Sequence, residues 1–361
     1  MKKPCILIMA GGTGGHVFPA LAVAHQMQKN GWEVHWLGTT TGLEAKIMPQ
    51  NPIPIHYITV RGLRRRGFLG WCLAPFTVTR ALWQSIRIIH RVKPQVVLGM
   101  GGFISGPGGL AAWLLRCPLV IHEQNAIVGF TNRWLALVAA EILEAFPGAF
   151  KGGRATCIGN PVREALLNLP PPRDRFHHRN GLVRLLILGG SQGALALNEL
   201  CPEAIQQLPK GERPEIWHQA GAGREIATAK AYEAAGIAAR VEPFINDMAS
   251  AYAWADVVLC RAGALTVSEL AAAGVGSILV PFPFAVDDHQ TYNGRFLEKA
   301  GAALLIAQSD LNPHKLADTL GELLTDRERL VKMAEAAYTI AKRDAVTKMT
   351  KICGEISKHA L

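Results

Sequence analysis

Signatures that grip metals or nucleotide phosphates are absent from this sequence. Its seven cysteines are dispersed, and none are spaced as CxxC. That argues against structural zinc and fits a reducing cytoplasm. No HExxH occurs, and no GxxxxGK[ST], which removes P-loop phosphoryl transfer. No DxD occurs, so a metal-clamped diphosphate is not indicated, and neither metal nor cofactor is expected. Charge is sparse, at 18% of residues, and acidic residues are the minority, 28 against 38 basic ones. The net charge of +10 calls for an acidic partner: nucleic acid, anionic lipid or a phosphorylated substrate. No nucleic-acid module is visible, so nucleic acid is not expected.

A clean membrane span is missing too. Val96 to Leu115 carries no charge over 20 residues, the length of a spanning helix. Its six glycines and Pro107 read instead as strand, glycine loop and buried helix. Met1-Lys2-Lys3 precedes an apolar run, like a signal peptide. A glycine loop cuts that run short, and no small-residue cleavage site follows.

What is present is a globular chain, 49% hydrophobic over 361 residues, for which two domains are the default. The two halves follow one plan. Cys5–Met9 runs into AGGTGGHVFPALAVA, and Val183–Leu188 runs into GGSQGALALNEL. Between them, Asn160 to Gly181 is rich in proline and charge and reads as a connector. Short apolar strands alternate with helical patterns. They include Val34–Gly38, Ile53–Val60, Gln95–Leu98 and Leu119–Ile121, then Glu215–Gln219, Asp256–Cys260, Ser277–Val280 and Ala302–Ile306. Such alternation predicts doubly wound parallel α/β sheets, two Rossmann-like domains facing across a cleft. Ligands belong at the carboxyl ends of the strands.

The first glycine loop is a strand–turn–helix. Glycines let backbone approach a ligand, and the helix behind them aims amides at it. The spacing is not GxGxxG, and Thr39-Thr40-Thr41 stands where a dinucleotide site wants a ribose carboxylate. The loop is either a tight turn or an anion site not made for NAD. His16, at its helix start, is either a packed or capping residue or a general base held neutral by the helix N-terminus. His122-Glu123-Gln124-Asn125 places four hydrogen-bonding side chains at a strand end. In the second half, a helix starting near Ala264 would aim amides at a diphosphate, and Glu269 would accept from a ribose diol. The alternative is a helix capped near Thr266 and Ser268. Asp287 to Asn293 is a polar cluster before a helix Thr291–Lys299, suited to sugar hydroxyls or to a cap. Arg61, Arg64, Arg65 and Arg66 lead into Trp71, Phe76, Leu82 and Trp83, with Arg80, Arg87 and Arg91 interleaved. That suits an anionic membrane surface, or an ordinary amphipathic helix.

Together these motifs resemble one family: the bacterial transferases that move N-acetylglucosamine from UDP-N-acetylglucosamine to undecaprenyl-diphospho-N-acetylmuramoyl-pentapeptide, making the second lipid intermediate of peptidoglycan. AGGTGGHVFPALAVA, VVLGMGGFISGPGGLAAW, HEQNAIVGFTNRWLA, AFPGAF, GNPVR, LGGSQGA, WHQAGAG, INDMASAYAWADVVLCRAGALTVSELAAAG and DDHQTYN carry it, in order along the whole chain. The resemblance implies the GT-B glycosyltransferase fold, with an acceptor- and membrane-facing domain over 1–161 and a UDP-sugar domain over 162–340. The helix over 341–361 would pack back on the first domain. It implies inverting transfer to the C4 hydroxyl of the muramoyl sugar. By motif match, Ser191, Ile245, Ala264, Leu265, Thr266, Val267, Ser268, Glu269 and Gln290 would bind the donor, completed by Thr13, Gly14, Gly15, Asn125 and Arg163. His16 is the expected base, with Glu123 its competitor. The implied location is the cytoplasmic face of the inner membrane, as a peripheral protein. A UDP-N-acetylglucosamine 2-epimerase and a non-catalytic binding module are the rival readings.

Overall fold

The computed structural model describes residues 3–60, 74–177, 179–190 and 193–358. The chain divides into two compact units, Met1–Arg163 with Lys342–Leu361, and Glu164–Ala341.

In the first unit, a short apolar run buried on both faces dictates a central parallel strand. That run is β1, Cys5–Met9, all five residues buried. It lies between β2, Glu33–Gly38, and β4, Val96–Gly99, parallel to both. The sheet order is β3-β2-β1-β4-β5-β6-β7. Here β3 is Ile55–Tyr57, β5 Leu119–Glu123, β6 Glu141–Glu144 and β7 Thr156–Cys157. Alternate residues feed two cores. Ile6, Ile8, Trp36 and Leu98 meet α1, Gly14–Lys29, together with Met349 and Cys353 of the final helix Ala345–Lys358. Leu7, Met9, Leu37 and Val97 meet Ala81 and Ile89 of the helix Ala74–Val92 and Ala111 of the helix Ser105–Leu114. Val96 to Leu115 is thus strand, glycine turn and helix. No helix among the described residues is long and apolar enough to cross a membrane.

The second unit repeats the scheme with sheet order β10-β9-β8-β11-β12-β13. Its strands are β8 Arg184–Leu188, β9 Glu215–Gln219, β10 Arg240–Glu242, β11 Val257–Cys260, β12 Gly276–Leu279 and β13 Ala303–Leu305, all parallel. In both sheets the order reverses beside the first strand, at β1/β4 and at β8/β11. A parallel sheet opens a crevice at such a switch point, and the glycine loops stand there.

Three local differences from the sequence reading have clear causes. The run Ile53–Val60 pairs over Ile55–Tyr57 alone. Pro54 lacks an amide and serves only as acceptor, from the Trp36 amide at 2.9 Å. The helix expected from Thr291 begins at His289, so Gln290 is helical. The segment 164–181 is no loose connector: Leu166, Pro172 and Phe176 are buried. The Arg175 guanidinium donates to the carbonyls of Tyr252 and Ala273, at 3.2 and 2.6 Å.

Candidate functional site

At the β1/β4 switch point the glycine loop is built around a residue that motif reading passed over. Glu44, in the short helix α2 Leu43–Ile47, is fully buried. Its carboxylate accepts from the Gly12 amide at 3.0 Å, the Thr39 amide at 2.8 Å and the Thr39 hydroxyl at 2.9 Å. Charge-assisted bonds from amides and a hydroxyl are what a buried carboxylate requires. A Cβ at Gly11 would fall 2.6 Å from Glu44 Oε1, and one at Gly42 2.0 Å from Oε2. Gly12 has φ +92°, the left-handed region that favours glycine. So these glycines make room for a carboxylate and a turn, as well as for any ligand. The signal in sequence was weak: one glutamate after Thr-Gly-Leu.

Beyond Gly12 the backbone opens. Thr13 is extended and gives α1 no side-chain cap, so the first amides of the helix face outward from its N-terminus. The Thr13 carbonyl takes the amides of His16 and Val17, at 3.1 and 3.2 Å. Gly14 leaves space for the Phe18 ring, 3.0 Å from where its Cβ would lie. The Arg163 guanidinium stacks on that ring at 5.1 Å. Thr13, Gly14, Gly15 and Arg163 are therefore brought into one neighbourhood.

His16 is half-buried, and its Nδ1 lies 3.2 Å from Thr13 Oγ1. Its ring abuts the turn after β4, with Cδ2 2.9 Å from the position of a Gly101 Cβ. From β5, buried His122 donates through Nε2 to the Gly159 carbonyl at 3.0 Å. Burial pushes its pKa down to about 4, so it is neutral near pH 7.

Glu123, the competitor for the base, is committed elsewhere. Its buried carboxylate accepts from the Asn125 amide at 3.0 Å and Asn125 Nδ2 at 3.2 Å. It also takes the Gly129 amide at 3.1 Å and Asn132 Nδ2 at 2.9 Å. It shapes the loop that presents Asn125 and has no unoccupied face with which to take a substrate proton.

In the second unit, Ser191 lies outside the described residues. At Gly193 a Cβ would collide with the Ala220 carbonyl oxygen. Asn198 donates to that carbonyl at 2.9 Å and lies 3.1 Å from His218 Nε2, while His218 Nδ1 meets the Tyr232 hydroxyl at 3.0 Å. Burial pushes the His218 pKa down to about 3.

After β11, Gly263 begins the helix Ala264–Ala273 with an extended backbone and no side-chain cap. Thr266 and Ser268 do not cap it; the Ser268 hydroxyl donates to the Ala264 carbonyl at 2.9 Å. The helix N-terminus, with Ala264, Leu265 and Thr266, thus carries no side-chain cap. Val267 and Ile245 are buried, so their side chains serve packing. Glu269 is buried as well and accepts from the Tyr252 hydroxyl at 3.3 Å. The guanidinium of Arg261 holds three neighbours: the Val280 and Pro281 carbonyls at 3.1 and 3.2 Å, and Gln308 Oε1 at 2.6 Å. Gln290 accepts the Phe282 amide at 2.9 Å. Both residues thereby shape the loop after β12.

Among the described residues, Cys5, Glu33 and His35 stand close enough to share a metal ion. They lie at the amino-terminal ends of β1 and β2, opposite the glycine loop. His35 is already bonded to Glu33 at 2.9 Å and to His56 at 3.0 Å.

Two parallel sheets, each with a helix N-terminus that no side chain caps at its switch point, define a class, the two-domain doubly wound α/β proteins. The sequence pattern of the glycosyltransferase family 28 N-terminal domain matches residues 6–144, and that of its C-terminal domain matches 184–349. A transferase of Marinobacter nauticus is 53% identical, over 97% of this chain and 96% of its own length. One of Nitrosococcus oceani is 52% identical over 98% of each. Both bear the name UDP-N-acetylglucosamine--N-acetylmuramyl-(pentapeptide) pyrophosphoryl-undecaprenol N-acetylglucosamine transferase. The crystal structure of Acinetobacter baumannii MurG superposes with TM-score 0.86 and 41% identity, over 98% of this chain and 99% of that one. The chain belongs to glycosyltransferase family 28 and, within it, to this family of N-acetylglucosamine transferases.

Proposed function

We propose that this protein transfers N-acetylglucosamine from UDP-N-acetylglucosamine to the C4 hydroxyl of undecaprenyl-diphospho-N-acetylmuramoyl-pentapeptide, with inversion. Identity above one half to transferases of that name, along nearly the whole chain, carries the reading. The acceptor oxygen attacks C1 of the sugar and loses its proton to His16. The C1–oxygen bond to UDP breaks, and its electron pair leaves with the diphosphate. The transition state is oxocarbenium-like, so it needs a base on one side and stabilised negative charge on the other.

The N-terminus of the helix after Gly263, with no side-chain cap, suits that negative charge. Ala264, Leu265, Thr266 and Ser268 are assigned to the donor, together with Ser191, Gln290 and the backbone of Ile245 and Val267. Glu269, already ordered by Tyr252, is assigned to the ribose. Thr13, Gly14, Gly15, Asn125 and Arg163 are assigned to substrate contacts on the first unit. Glu123 acts through Asn125 as a positioning residue.

The same reading places the protein at the cytoplasmic face of the inner membrane. Phe76 and Trp83 are exposed on the helix Ala74–Val92, with Arg87 stacked on Trp83 at 4.7 Å. Trp113, Phe130 and Trp134 are exposed on the helices Ser105–Leu114 and Phe130–Leu135 of this unit. Aromatics rimmed by arginine suit an anionic interface. Leu82, beside Trp83, is partly buried and packs against the core. Arg61, Arg64, Arg65, Arg66 and Trp71 lie outside the described residues.

The test is UDP release from UDP-N-acetylglucosamine, with and without a short-chain analogue of the lipid acceptor. Acceptor-dependent release with a disaccharide product is expected. Acceptor-independent conversion of the donor would replace this reading with an epimerase, and binding without release would leave a binding module.

A further inference from the structure

The oxygen of Gln124 has no hydrogen-bond partner among the described residues, although Gln124 is 2% exposed. Its orientation follows from its neighbours. His122 Nε2 lies 3.0 Å from the Gly159 carbonyl oxygen, and only a donor fits there. The ring is neutral, so His122 Nδ1 is an acceptor. Gln124 Nε2 donates to that nitrogen at 3.2 Å, and to the Met100 carbonyl at 2.9 Å. Both amide hydrogens are thus used, and the amide cannot be flipped without setting oxygen against oxygen.

Gln124 Oε1 borders the space that a Gly101 side chain would fill, 3.0 Å from that Cβ position. His16 Nε2 borders the same space, at 3.1 Å. Gly101 has φ +82°, so both its conformation and its missing side chain keep the space open. The other imidazole nitrogen, Nδ1, meets Thr13 Oγ1 at 3.2 Å.

We infer that Gln124 is a positioning residue whose oxygen, not hydrogen-bonded at rest but bordering the same space at Gly101, biases His16 toward the tautomer protonated on Nε2, leaving Nδ1 as the nitrogen that takes the acceptor proton. A carbonyl oxygen can only accept, so it favours the ring form that turns N–H toward it. The Thr13 hydroxyl then donates to Nδ1 at rest and turns aside when the substrate hydroxyl arrives. After proton transfer both ring nitrogens carry hydrogen, and Gln124 Oε1 faces the positive ring. An outer group that selects a histidine tautomer is a general device of acid–base sites. The inference rests on His16 as the base.

The experiment is nitrogen-15 NMR of the histidine side chains in the full protein near neutral pH, with His16→Ala identifying the His16 signals. The expected spectrum shows a protonated Nε2 and an unprotonated Nδ1. The opposite tautomer overturns the inference, even if Gln124 variants do not fold. Gln124→Met should mix the tautomers and lower kcat about 10- to 100-fold, with acceptor KM changed about twofold or less. An unchanged tautomer in Gln124→Met also overturns it. Normal turnover in His16→Ala would defeat the base reading instead, and leaves the tautomer result standing as measured.

Discussion

The Glu44 carboxylate and the Gly12 amide meet at 3.0 Å across 32 positions of sequence. The bond joins the end of β1 to the segment after β2 and fixes the turn from which α1 presents its first amides. Glu44→Gln keeps the shape but sets an amide N–H against donors from Gly12 or Thr39. An unmatched buried donor costs about 1–3 kcal/mol. The expected outcome is lower stability in urea unfolding and a raised KM for the substrate that the loop contacts. Unaltered stability would show that the loop does not depend on this carboxylate.

Stability should fall on mild acidification. Unfolded histidine takes a proton near 6.5, whereas folded His122 and His218 do so only near 4 and 3. Between those values the unfolded chain binds more protons, so lowering pH favours it. Each buried histidine contributes a slope of about 1.4 kcal/mol per pH unit across its window. The two lie in different units. His218→Gln should flatten the acid limb of the second unit alone, as followed by urea titrations at pH 7, 6 and 5.

Arg261→Lys tests the loop after β12. One ammonium cannot span the Val280 and Pro281 carbonyls and Gln308 Oε1 as the guanidinium does. A loss of about 1–3 kcal/mol in stability is expected, with weaker UDP binding by calorimetry. Unchanged UDP affinity would separate this loop from the donor.

The double variant Phe76→Ser with Trp83→Ser should keep its fold, because both side chains are exposed, at 74% and 56%. Vesicle affinity should drop at least about tenfold, since burying one such ring is worth about 1.5–3 kcal/mol. Sedimentation with anionic vesicles measures it. Equal binding by variant and parent would remove the membrane assignment from this helix.

Much of the architecture was legible in the sequence because it rests on periodicity. A short apolar run that leads into a glycine loop and then a helical pattern reads as a buried parallel strand. Two such runs, each followed by a helical pattern, forecast two sheets and the places where their order reverses. The short edge strands β7 and β10 were invisible, since two or three half-buried residues carry no period. The individual duties of polar side chains were invisible for a different reason. Nothing local distinguishes Glu123, saturated by four donors from its own loop, from a carboxylate waiting for a proton. Nothing local marks Glu44 as the partner of Gly12. The Glu44 partner lies 32 positions away, and the donors to Glu123, though near in the chain, meet its carboxylate only once the backbone has folded. The sequence therefore determined the class of protein and the loops that matter, while only the tertiary structure decided which side chains in those loops are committed to holding them.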